Sequence, residues 1–427
     1  MDIPIPLTPQ QAAKRRKTRM QTAAVVGAIA LLGGVFIHEL DVTPNVLIPT
    51  PTLPSPNAYD DYARAAALMK DQREIKAPRP RGTLMAPETQ LRVLRDNAPA
   101  LAALRQGIAH SYLNPPARSF STALANLEPD RALVRLLVLE ADEQAARGDW
   151  GASAQTSLDG LKMGSDIPHG GGVIHRLVGI AIDAISREAL GRAVDNLSLT
   201  ETKAALERLR AIDADPQTTA QTFREAKWST QASLMELFGR PSWRTTFLGE
   251  NAGGDAGPSL SMRMSFLLTS KRRMMADYTD YMDTTISDME AHRPISPLPP
   301  AHSDPMADIL TPMFTGLPAM CDDDRTQNAF LEIALALHAY QLQHHDYPET
   351  LSALAPDLLP RLPDDPFAPG SPLRYQNNAG TYTLYSVGPD GVDDGGKAID
   401  NPTAPSAKTR RSVMQGAKGD VVMGVNF

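Results

Sequence analysis

The sequence predicts an α+β protein with one N-terminal transmembrane helix, a mainly helical array, and a small C-terminal module of one helix on an antiparallel sheet. Three observations lead there. An uncharged run follows a basic N-terminal stretch, Ala and Leu recur at helical spacing through the middle of the chain, and two short alternating segments lie near residues 374 to 387. The 427 residues carry 42 Lys plus Arg against 49 Asp plus Glu, a formal charge of -7. That balance lacks the clustered positive charge of a nucleic-acid footprint, so no nucleic-acid partner is expected. One cysteine excludes an internal disulfide and a thiolate-rich zinc site. Hydrophobic residues at 42% suffice for real cores, and aromatics at 5% favour helices packed through small side chains.

Residues 1–19 form a basic segment containing Lys14, Arg15, Arg16, Lys17 and Arg19. The apolar stretch from Met20 to Ile37 is long enough, at about 1.5 Å per residue, to cross bilayer hydrocarbon. The transmembrane helix is therefore placed at 20–38, with the lipid bilayer as its partner. Basic residues before it and Glu39 and Asp41 after it predict a cytoplasmic N-terminus and a translocated bulk. A cleaved signal peptide is the main competing reading, but no small-x-small cleavage site follows Ile37. Ala23 with Gly27 and Ala30 with Gly34 place small residues four apart, a spacing that would also permit self-association.

Residues 39–56 are a proline-rich linker, whose prolines favour extended backbone. The helical body spans 57–291. Asn57 is a candidate cap for a helix from Ala58 to about Lys76, Pro87 and Glu88 open the next run, and Pro99 interrupts it. Further helices are expected from Pro129 to Gly148, from Asp149 to the Gly-rich turn at 170–172, from Val173 to Val194, from Leu199 to Ile212 and from Thr218 to Leu237. The stretch from Leu139 to Gly164 resembles one helix–turn–helix unit of the tetratricopeptide kind, with Gly148 at the turn; a non-repeating array explains the same pattern. Residues 240–260 read as a long irregular loop, and helicity resumes from Ser261 to Ala291, carrying Lys271, Arg272 and Arg273 on a solvated face.

Five prolines at 292–305 mark a second linker. The module at 306–400 then begins with a short segment bearing Cys321, followed by a helix from about Arg325 that ends before Tyr347 and Pro348. Arg374–Gln376 and Thr381–Val387 are strands joined through Asn378–Gly380. Asp322, Asp323 and Asp324 beside Cys321 would raise a thiol pKa and oppose nucleophile duty. His338 and His345 are two turns apart, too far for one metal ion, so the histidines of this helix read as a surface cluster. Residues 401–427 read as a flexible basic tail, whose final VVMGVNF could instead add an edge strand.

Tyr347 and Pro348, the DPF at Asp365–Phe367, Tyr375, LYSVGPDG at Leu384–Gly391 and DDGG at Asp393–Gly396 resemble the C-terminal half of the major pseudopilin of type II secretion systems. Similar ends also occur in larger membrane-anchored bacterial proteins. The resemblance covers residues 326–400. The family's peptidase-recognised leader and the Glu at the start of its apolar helix have no counterpart here, which argues against polymerisation. The resemblance implies Ca²⁺ in the loop after the last strand; carried over by position, its ligands would be Asp390, Asp393, Asp394 and Asp400, and hard, closely spaced oxygens suit that ion. The alternative is an ordinary solvated Asp/Gly turn.

No catalytic constellation is visible, so the chain reads as a non-enzyme. The expected function is a membrane-anchored extracytoplasmic scaffold with a protein partner, in a bacterial inner (cytoplasmic) membrane. An accessory component of a type II secretion or pilus-like apparatus is the alternative, and an envelope hydrolase with an unrecognised site is the third.

Overall fold

The computed structural model describes residues 9–76, 85–119, 128–244, 269–291 and 316–426. The proline-rich break at 77–82, most of the connection at 240–260 and the linker at 292–305 lie outside them. The fold is mostly helical, with a small antiparallel sheet. It divides into two compact units: an anchor unit of 1–47, 231–283 and 297–309, and a main unit of 48–230, 284–296 and 310–427.

In the anchor unit, helix α1 (Pro9–Asp41) begins well before the predicted span, because nothing in the basic stretch breaks a helix. Its Arg16–Asp41 portion is long and apolar enough to cross a membrane, about 39 Å by helix rise. Ile29, Leu31 and Leu32 are each more than three-fifths exposed, so among the described residues nothing covers this apolar surface.

The main unit opens with α2 (Ala58–Leu68) and α3 (Gln72–Lys76), where the sequence suggested one helix. Asp71 adopts φ 54° between them, a left-handed turn that no continuous helix contains. Asn57 caps α2 as expected, accepting from Tyr59 N at 3.2 Å, and its amide also donates to Leu113 O at 2.9 Å. Helices α4 (Pro87–Asp96) and α5 (Ala98–Ile108) meet at Pro99, which the first turn of a helix tolerates.

Helix α6 (Glu128–Ala146), a turn at Gly148 with φ 81°, and α7 (Trp150–Asp166) form the predicted helix–turn–helix. Asp149 caps α7 through Ala152 N at 3.0 Å. Against α7 packs α8 (Val173–Ala193), and glycine sets the spacing: a Cβ on Gly179 would lie 2.7 Å from the carbonyl oxygen of Gly164. Helix α9 (Leu199–Ile212) carries a full capping box from Ser198 and Glu201. Of two further helices, α10 (Thr219–Phe238) is close to expectation; α11 (Lys271–Glu290) covers the later part of the run expected from Ser261, of which 261–268 lie outside the described residues.

Helix α12 (Leu317–His344) starts earlier than the sequence suggested, and Cys321 lies inside it rather than in a preceding segment. Pro318 in the first turn costs no hydrogen bond, so the acidic run DDD is helical. Strands β1 (Asp364–Asp365) and β2 (Ala368–Pro372) make a two-stranded ribbon. Strands β3 (Arg374–Asn377) and β4 (Tyr382–Ser386) pair antiparallel with Tyr375 opposite Leu384, closing at Asn378 as predicted.

The tail departs from its predicted flexibility. After a short α13 (Ala407–Arg410), strand β5 (Val421–Val422) pairs with β4, Tyr385 facing Val422. Val413, Val421 and Ile399 are all buried, and burying such side chains contributes about 1.5–3 kcal/mol each. Asn426 locks the turn: its amide donates to Ile399 O at 2.9 Å and Arg411 O at 3.1 Å, while its oxygen accepts from Val422 N at 3.0 Å.

Two cores fill the main unit. One joins α2 to α8 through side chains such as Tyr62, Leu104, Leu133 and Ile182. The other joins α7, α8 and α9 to α12 and the sheet, through Leu158, Leu190, Leu209, Phe330, Leu337 and Leu384. The segment expected as a separate module therefore shares its core with the helical body. Its apolar residues are too few to close a core alone.

Asn426→Ala leaves a buried strand N–H and two carbonyls without partners, so a loss of about 1–3 kcal/mol is expected in urea unfolding. A tail that contributes nothing would leave the midpoint where it is.

Candidate functional site

The acidic loop after β4 is the predicted site, and the structure distributes its carboxylates among separate tasks. Asp390 closes its own turn, accepting from Val392 N at 3.2 Å, and reaches Gly419 N at 3.4 Å. Asp393 accepts from Arg374 Nε at 3.1 Å, Tyr385 Oη at 3.2 Å and Gly395 N at 3.0 Å. The Gly395 amide and the Arg374 guanidinium hold its carboxyl below the usual range. Asp400 points elsewhere, with both oxygens engaged by Arg410 at 2.8 and 2.7 Å. Asp394 contributes its backbone N–H to Asp420 at 3.2 Å.

These four carboxylates do not converge on one ion. Among the described residues, no group of three or more His, Cys, Asp or Glu stands where it could hold a metal. The loop is organised by two buried carboxylates instead. Asp420, fully buried, accepts from Gly396 N at 2.7 Å as well as from Asp394 N. Asp365, also fully buried, accepts from Ser386 Oγ at 2.6 Å, Phe367 N at 3.0 Å and Val387 N at 3.1 Å. Asp365, in the DPF motif, thereby fixes the path of the chain into the sheet. Asp420 lies in the tail read as flexible, and only its position between a glycine and two valines could have singled it out.

The histidines separate in the same way. His338 is not on the surface: it is buried, with Nε2 3.0 Å from Leu197 O. His344 is exposed and lies against Tyr340, ring centroids 4.1 Å apart.

The grouping that the sequence did not disclose is an ion network between α8 and α12. Asp324, almost fully buried, accepts from Arg176 Nη2 at 3.1 Å and from Arg187 Nη1 at 2.7 Å. Arg176 also donates from Nε to Cys321 Sγ at 3.4 Å. Arg187 bonds Asn328 Oδ1 at 2.7 Å, and Asn328 in turn donates to Asp213 at 3.2 Å. Asp183 is buried beside them. Burial and the adjacent Asp324 push its carboxyl well above the usual range. Burial, then Asp324 and Glu332, raises Asp213 from its ordinary 3.8 to about 7, and burial raises Asp323 to about 6. Arg176, Asp183 and Arg187 lie on one face of α8, but their partner Asp324 is more than 130 residues further along, so the sequence shows the face and not the pairing.

Chemically the network is a clamp. Each guanidinium has a carboxylate partner, which offsets the desolvation that burial imposes. A separate surface feature is an open groove of about 520 Å³ between α4, α5 and α6, lined by Leu91, Leu94, Ala98 and Leu101 together with the ion pairs Arg105–Glu140 and Arg147–Glu143. Leu91 is 53% exposed in that groove. No protein-family model, no curated protein and no solved structure matches the chain.

Asp324→Ala leaves two buried guanidinium groups uncompensated, and a loss of about 3–5 kcal/mol is expected by urea unfolding. The raised Asp213 pKa has a defined sign. Between about pH 4 and 7 the folded protein keeps a proton there that the unfolded chain releases, so this group's contribution to stability falls as pH rises through that window and is level above it. Relative to wild type, Asp213→Asn should lose that negative term, so the difference in unfolding stability, variant minus wild type, rises with pH across the window and is level above it.

Proposed function

We propose that the chain is a single-pass scaffold protein of a bacterial cytoplasmic membrane, with its N-terminus inside and its main unit outside, acting by holding a protein partner rather than by catalysis. The observation that carries this reading is the exposed apolar surface of α1. Apolar area of that extent is unfavourable in water and favourable in hydrocarbon. The basic residues before the apolar run and the acidic ones after it favour this orientation. The groove floored by exposed Leu91 supports a binding role, and the mutual neutralisation of charges between α8 and α12 supports a structural role for those buried groups.

A second reading is an accessory part of a secretion or pilus-like apparatus. It is favoured by one contact: Asp365, of the DPF motif, bonds directly to Ser386 and Val387 of the LYSVGPDG motif. The two segments that carry the pseudopilin resemblance thus depend on each other.

Orientation is tested by labelling intact cells with a membrane-impermeant maleimide. Val392→Cys, at a position 54% exposed, should label from outside, and Gln10→Cys should label only after the membrane is opened; native Cys321 is fully buried and adds little background. The reverse pattern would overturn the orientation. A photocrosslinker at Leu91 should give one discrete adduct in native membranes, lost with Leu94→Glu, and no adduct at all would count against a partner in this groove.

A further inference from the structure

The end of the apolar helix is tied to basic and aromatic side chains of the anchor unit. Asp41, the last residue of α1, accepts from Arg244 Nη1 and Lys271 Nζ, each at 3.2 Å, and from Trp243 Nε1 at 3.4 Å. The Arg244 guanidinium lies 4.2 Å from the Trp243 ring centre, and Phe238 meets that ring edge-on at 5.1 Å. Lys271 is buried and donates also to Phe238 O at 2.8 Å. The Nε of Arg244 is enclosed, with no hydrogen-bond partner among the described residues.

Around this knot the surface is basic. Arg240, Arg272 and Arg273 are exposed. Glu236 pairs with Arg240 at 2.5 Å and Asp277 with Arg273 at 3.5 Å. With Arg244 and Lys271, five cations stand against the four carboxylates Glu39, Asp41, Glu236 and Asp277, an excess of one. A spanning helix ends at the headgroup layer, where tryptophan and basic side chains gather and anionic lipid attracts positive charge.

We infer that this face docks on anionic phospholipid, with Arg240, Arg244, Arg272 and Arg273 seated among the phosphates of the bilayer that α1 enters. The inference rests on the reading that α1 spans the membrane. Asp41 is what makes it specific: the carboxylate joins the basic cluster to the point where the helix leaves the hydrocarbon. The lysine–arginine run, which sequence alone reads as a solvated helix face, thereby gains a surface to face.

The test uses the full chain with Ala276→Cys, an exposed position one turn beyond Arg272, carrying a nitroxide. It is placed in nanodiscs of phosphatidylcholine alone or with phosphatidylglycerol. Accessibility of the nitroxide to a neutral, water-soluble nickel chelate should fall several-fold when phosphatidylglycerol is present and recover at high salt. Arg272→Glu with Arg273→Glu should abolish the difference, and Arg240→Glu, on another segment, should reduce it. Equal accessibility in both lipids overturns the inference, and an acidic protein as the true occupant would give that result. Alkaline carbonate extraction of native membranes keeps the two readings apart. Loss of the wild-type protein from the pellet sinks the spanning reading, whereas retention with an unresponsive nitroxide sinks the docking inference alone.

Discussion

Burial of one long helix is the constraint on which the main unit depends. Fifteen of the 28 residues of α12 are buried, and they lie on more than one side of it. A helix enclosed to this extent needs neighbours on several faces. It finds α8 and α9 on some, and the sheet and its connecting turns on others. The polar residues of α12 then have to be satisfied inside the protein. Asp324 meets Arg176 and Arg187, His338 meets the carbonyl of Leu197, and Thr326 bonds back to the carbonyl of Asp322 at 2.8 Å.

The sheet follows the same logic with fewer residues. Its strands are two to five residues long, too short to hold together by pairing alone. Asp365 and Asp420 supply the missing order by collecting backbone N–H groups from loops that would otherwise leave them unpaired. A carboxylate that accepts several such bonds is stabilised in place without a cation.

Much of this was legible, and the reason differs by element. Helix starts were read from single residues whose side chains or rings do local work, such as Asn57 and Pro87, and the β3–β4 hairpin from the turn at Asn378–Gly380; the capping box of Ser198 and Glu201 was not read. The apolar run of α1 was legible because helix length and hydropathy are both read directly from composition. Three features were hidden. The early start of α12 was masked by three aspartates that read as a loop until their partners on α8 are known. In the Arg176–Asp324–Arg187 clamp the two arginines are three turns apart on one helix, but the carboxylate that joins them is brought there by packing alone. Strand β5 has two residues, too few to show any alternation. The predicted ligand set at Asp390, Asp393, Asp394 and Asp400 was drawn from proximity in sequence, and the turns around Gly391 and Gly395 send those carboxylates to different partners.

Strand β5 also sets an order of events. A chain emerging N-terminus first displays α12, β3 and β4 while residues 421 and 422 are still unavailable, so the edge of β4 and the space later filled by Val421 stand open. The interval is one in which β4 can pair with the wrong strand, including that of another nascent copy. The second core therefore closes only once the final residues are available, and whether the finished chain is correctly packed is decided at its very end.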